Sequence, residues 1–313
     1  FFFIIDKIDR RLAGWRGVLL SLVGRAILVH AVLRALPIYA MSALLLPVGI
    51  VQDIDKRCRS FFWVGQEKVS GGQCKVAWDF VCAPFSHGGL GFSSLQHLNS
   101  CLLLSHLNKL HSYIAYRGSS HLALKYGWSD TRDLDSPHPF ESNVWHDIAK
   151  GLEFFRSITK VDIGNGTTTA FWLDLWFNGS TQNLATIFPA LFTHTLRPAA
   201  TVGRVLGYPA LNLDLAPRLT HAVKLELGNL RGMLASVSMN FQVMDKRTGR
   251  FDGKPMTCKS AYKAVWINKP IDPLATAIWK NYAPNKCRIF LWLAHKNRLF
   301  TNERRFKRGL TNS

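Results

Sequence analysis

The chain has 313 residues, 48% of them hydrophobic, which is enough to bury real cores and excludes a disordered tail. Lys and Arg number 39 against 20 Asp and Glu, a formal net charge of +19. An excess of that size points to a polyanionic partner, nucleic acid first and an anionic membrane surface second. Six cysteines (Cys58, Cys74, Cys82, Cys101, Cys258, Cys287) without C-x-x-C spacing exclude a disulfide framework and suit a reduced, intracellular protein of nucleus or cytoplasm, not a secreted one.

Phe1 to Ile5 is apolar but has no basic stretch before it, so no signal peptide is expected, and a first residue other than Met suggests a start partway through a longer reading frame. Residues 6–110 are expected to be helical. Arg10, Arg11, Trp15 and Arg16 lead into Leu19, Leu22, Val23, Ala26, Ile27 and Leu33, the stripe of an amphipathic helix that Pro37 ends or kinks. Pro47 opens the next helix, with Ile50, Ile54, Cys58, Phe61 and Phe62 on one face and Asp53, Lys56, Arg57 and Arg59 opposite. Ala35 to Gln52 carries no charge, but Pro37 and Pro47 interrupt it, which favours a buried segment over a membrane span. Leu95 to Leu110 reads as a Leu-rich helix.

Residues 111–140 are polar and read as an exposed connection. Asn165-Gly166 within Ile163 to Phe177 is a hairpin-turn signal. Thr181 to Pro217, with four prolines, should be irregular; a helix is expected within Ala216 to Leu234 and a small hairpin over Phe241 to Phe251. Ser260 to Trp266 and Asn285 to Phe300 read as helices, and Thr301 can cap a last one closed by Gly309. The fold class is therefore mainly α with small β-hairpin elements.

From Trp279 to Gly309 nine cations face one acid, Glu303. Lys280, Lys286, Arg288, Lys296, Arg298, Arg304, Arg305, Lys307 and Arg308 suit phosphate contacts, and the cations around the last turn, Arg304 to Arg308, exceed what a helix dipole needs. Phe290 and Trp292 lie in an all-apolar turn, so core packing is favoured over base stacking for both. No catalytic constellation stands out. Asp53 with Asp55 belongs to a salt-bridged helix face, and Asp133 with Asp135 to the polar connection. His146-Asp147 is a lone dipeptide. Cys74, Cys82, His87 and His97 lack the close pairing of zinc ligands, and Cys258 and Cys287 read as small apolar fillers.

An ordered series of motifs carries a resemblance. Phe251-Asp252-Gly253, Lys259-Ser260-Ala261-Tyr262, Ile278-Trp279-Lys280, Ala283-Pro284-Asn285-Lys286-Cys287-Arg288 and Phe290-Leu291-Trp292-Leu293-Ala294 resemble the reverse-transcriptase zinc-binding module of plant non-LTR (LINE-type) retrotransposon polyproteins. Gly14-Trp15-Arg16, Leu36-Pro37-Ile38-Tyr39, Phe61-Phe62-Trp63, Ala77-Trp78-Asp79 and Gly88-Gly89-Leu90-Gly91 resemble the segment after the polymerase palm, and Gly164-Asn165-Gly166 with Phe171-Trp172-Leu173-Asp174 the region joining the two. The resemblance implies a helical thumb/connector-like region over 1–110, a joining region over 111–235 and a zinc-binding-type domain over 236–313 that stops before its metal ligands. It implies no catalytic residue and no cofactor in this chain, though the full module would bind zinc. It also implies a non-catalytic fragment that binds RNA or DNA with little sequence preference through Arg10, Arg11, Arg16 and Arg25 and the tail cations. The alternative is a decayed or partial gene product with no activity.

Overall fold

A computed structural model describes residues 1–69, 71–111, 143–207, 211–299 and 301. The chain is mainly α. In order the helices are α1 (Phe2–Ala13), α2 (Leu22–Leu28), α3 (Ile38–Met41), α4 (Val48–Trp63), α5 (Trp78–Cys82) and α6 (Leu95–His111). Then come α7 (Asn143–Ala149), α8 (Leu152–Ile158), α9 (Leu184–Ile187), α10 (Pro189–Thr193), α11 (Val202–Leu206) and α12 (His221–Leu234), followed by α13 (Cys258–Ala264), α14 (Ala275–Trp279) and α15 (Asn285–His295). Strands β1 (Thr159–Asp162) and β2 (Lys246–Gly249) form a two-stranded antiparallel sheet. Two compact units result, one of residues 1–99 with 265–313, the other of residues 100–264. These units follow contact, whereas the divisions at 110 and 235 follow composition and motif.

In the first unit, α1 buries Ile4, Ile5 and Ile8 against α4. Arg57 of α4 grips Asp9 of α1 in a two-pronged pair at 2.6 and 2.9 Å. The helix expected to run through residue 33 is broken. Gly17 lies so close to the Gly65 backbone and the Phe61 ring that a Cβ would clash, and the chain makes a 3₁₀ turn over Gly17–Leu19. Ser21 then caps α2 by accepting from the Gly24 N–H at 3.2 Å. The expected stripe is consequently uneven: Leu33 is buried while Leu19 and Ile27 are exposed. A π turn over Val29–Leu33 follows α2.

Helix α4 forms as its apolar spacing predicts, burying Ile54, Cys58, Phe61 and Phe62, with Asp53 and Lys56 exposed. Asp55 faces inward, where buried Arg34 donates to it at 2.8 Å and also donates to the Ser93 carbonyl. The uncharged stretch from Ala35 to Gln52 contains α3, a loop and the start of α4. Asn99 of α6 ties its loop down, accepting from the Leu46 N–H at 2.7 Å and donating to the Met41 and Leu44 carbonyls at 2.8 and 2.9 Å. Among the described residues no helix is long and apolar enough to cross a membrane.

The second unit is built around Phe171, Trp172, Trp176, Leu191, Val205 and Val223. The Asn165-Gly166 signal makes a turn but not a hairpin, and 163–177 contains no strand. Asp245 explains why: its carboxylate accepts from the N–H groups of Gly164, Gly166 and Thr168 and from the hydroxyls of Thr168 and Thr169, at 2.7 to 3.1 Å. The loop's donors are taken by a side chain instead of a neighbouring strand. The segment around Thr248-Gly249 likewise pairs elsewhere, with Thr159 opposite Gly249 and Asp162 opposite Lys246. The stretch expected to be irregular contains α9, α10 and α11, two of them started by side-chain caps at Asn183 and Thr201. The connection after residue 111, with Asp133 and Asp135, lies outside the described residues.

Candidate nucleic-acid interface

Both sequence ends enriched in cations fall within the first unit, which holds 21 Lys or Arg against 8 Asp or Glu, a net +13. Arg10, Arg11 and Arg16 are exposed at the end of α1 and the turn after it. Arg25 on α2 is half-buried; burial lowers its pKa, and its Nε has no hydrogen-bond partner among the described residues. Lys280, Lys286 and Arg298 are exposed. Arg304, Arg305, Lys307 and Arg308 lie outside the described residues.

Two of the expected contact residues are partly committed within the fold. Arg288 donates to the Asn281 carbonyl at 2.6 Å. Lys296 donates to Asp272 at 2.8 Å, and the His295 imidazole lies 2.9 Å from the same carboxylate. Burial pushes the Asp272 carboxyl up, but the hydrogen bonds from Lys296, His295 and the Leu274 N–H outweigh it and bring it down to about 2. Lys296 is thus a structural partner first. Gly88 explains the packing around it: its φ of 77° suits glycine, and a Cβ there would strike the Asp272 carboxylate. Its carbonyl accepts from the Trp292 indole at 2.8 Å.

The aromatic residues of the tail divide. Trp292 is fully buried, as packing requires, whereas Phe290 is 56% exposed, because a helix lying on a core shows it only one face. Helix α15 also ends at His295, short of residue 300, and Asn297 takes a positive φ of 50°. Cys287 is exposed and Cys258 half-buried, so the filler role does not describe Cys287.

The residues considered for metal chemistry are used otherwise. His87 and His97 both lie against the Trp266 ring, at 5.3 and 6.3 Å between centroids. Cys82 is buried, and burial pushes its thiol up to about 12. Among the described residues no group of three or more His, Cys, Asp or Glu could hold a metal ion. One further site was not foreseen. An apolar cleft of about 380 Å³ lies between α2, its π turn and the first turn of α15, lined by residues including Ile27, His30, Phe85, Trp279 and Arg288.

Residues 256–313 match the family described as zinc-binding in reverse transcriptase. Over 336 aligned positions the chain is 29% identical to an Arabidopsis thaliana protein with a provisional ribonuclease H name, a match covering 99% of this chain and 50% of that protein. The chain therefore spans half the length of that relative. It is also 29% identical over 155 residues to an uncharacterized mitochondrial protein of Arabidopsis thaliana, covering 47% of this chain and 96% of that one. No solved structure matches. In the matched stretch the Cys and His residues are Cys258, Cys287 and His295, the last held by Asp272, and the described residues do not fit a zinc site. With the ordered motifs along its length, these matches make the chain similar to plant proteins of the reverse-transcriptase and ribonuclease H kind, and residues 256–313 similar to the zinc-binding family of reverse transcriptases.

Proposed function

We propose that this chain is part of a retrotransposon reverse-transcriptase protein that binds nucleic acid through its phosphates and does no catalysis itself. The observation that carries the reading is the net +13 of the first unit, where the exposed cations of both sequence ends occur together. Phosphate neutralisation releases counterions, so such a surface gains affinity without reading bases. The binding part is supported too by the reverse-transcriptase and ribonuclease H names of the family and relative. The non-catalytic part is supported by Asp55, one of the few paired acids, which is taken up by buried Arg34. Within this reading, residues 1–110 serve as a thumb/connector-like grip, 111–235 as the joining stretch and 236–313 as the start of the zinc-binding-type domain.

A gel-shift titration over a salt series tests it. Affinity should fall by a factor on the order of 10³ between low and moderate salt if six or more phosphates are engaged. Lys280→Ala and Lys286→Ala should each lower the slope of log affinity against log salt by about 1. Binding that ignores salt, or no binding at low salt, overturns the reading.

A further inference from the structure

Cations explain attraction to a phosphate chain, but not the apolar cleft beside them. At about 380 Å³ it lies in the range of small-ligand sites, roughly 300–1,000 Å³. Its walls combine Val23, Ile27 and Ala31 from α2 and the π turn with Phe85, Trp279 and Ile289. Phe85 and Trp279 form a tilted pair with centroids 4.8 Å apart, and Phe85 remains 48% exposed, so part of its ring is available to a ligand. The π turn that supplies His30 and Ala31 is a local widening of a kind frequent at functional sites.

The polar groups of the lining are basic or neutral: His30, Asn285 and Arg288. Lys286 and Arg288 occupy the first turn of α15, which contains no acid and where the helix dipole is itself positive. An apolar cleft bordered by positive charge complements a ligand that is aromatic in one part and anionic in the next. A nucleotide with an unstacked base has that chemistry. A duplex, whose bases are stacked away, does not.

We propose that this cleft takes one unpaired base of a single-stranded nucleic acid, stacked against Phe85 and Trp279, with Arg288 meeting a flanking phosphate. The proposal rests on the nucleic-acid reading above and adds single-strand preference to it.

The test uses the full chain and fluorescence anisotropy with three labelled probes: a single-stranded oligonucleotide, the same strand with abasic positions, and the duplex. The intact single strand should bind about tenfold more tightly than the abasic strand, as one stacked base provides. Phe85→Ala and the cleft-filling Ala31→Phe should each erase that difference while leaving the salt slope unchanged. Ala31 is exposed, so its variant keeps the test valid if Phe85→Ala does not fold. Equal affinity for intact and abasic strands, with the salt slope intact, overturns the cleft and leaves the phosphate reading standing. A duplex bound as tightly as the single strand also overturns it, and absence of salt-dependent binding to every probe overturns both.

Discussion

Asp272 is the residue on which the packing of the carboxyl-terminal helices turns. It accepts from Lys296 and lies beside His295, while its oxygen also receives the Leu274 N–H at 3.0 Å. A carboxyl depressed from 3.8 to about 2 contributes stability that is fully present above the unfolded value and is lost as pH falls through the folded one. Thermal unfolding followed by circular dichroism should therefore show a loss of stability between about pH 4 and about pH 2 that Asp272→Asn reduces, the remainder belonging to groups such as buried Asp174, whose pKa is lowered too. An identical acid profile for the variant would mean that other carboxylates govern the transition. None of this was legible in the sequence, where Lys296 reads as one more free cation, because the acid lies 24 positions away and is brought close only by the turn between α14 and α15. Trp292 and Phe290 make the same point in a smaller compass: composition marks the turn as apolar, but only the neighbouring Gly88 carbonyl decides which ring goes inside.

Elements were legible where a local rule governs them. Helix α4 follows from Pro47 and a period of three to four, and α6 and α12 from their leucines and, for α12, the Thr220 cap. The sheet was not legible, since its strands lie more than eighty residues apart and pair through tertiary packing, not through a turn. Asp245, one residue before β2, anchors that arrangement by gathering the donors of the 164–169 loop. Asp245→Ala would leave several buried N–H and hydroxyl groups without an acceptor, at a cost of about 3 kcal/mol or more. The urea midpoint should drop accordingly, and amide exchange at Gly164, Gly166 and Thr168 should quicken more than exchange in α4. Uniform quickening throughout the chain would instead indicate a general loss of stability with no special role for the loop.

At the scale of the molecule, charge sets the terms. The surplus of +19 was evident from composition, but its concentration in one unit depends on the chain after residue 264 grouping with residues 1–99. Like charges gathered on one compact body repel, and salt shortens their reach to about 10 Å at 0.1 M and about 3 Å at 1 M. Salt also weakens the exposed attraction between Arg57 and Asp9, but an exposed pair contributes only about 0–1 kcal/mol. The buried Arg247–Asp174 pair, at 2.7 Å, is screened far less. Repulsion should therefore dominate the response, and raising sodium chloride from about 0.05 M to about 0.5 M should raise the melting temperature by a few degrees, corresponding to about 1 kcal/mol. The same salt increase should release bound nucleic acid, so stability and binding are expected to move in opposite directions across one titration. A melting temperature that falls with salt would show that the exposed pairs outweigh the repulsion, and that the positive surface is less strained without its polyanion than its composition suggests.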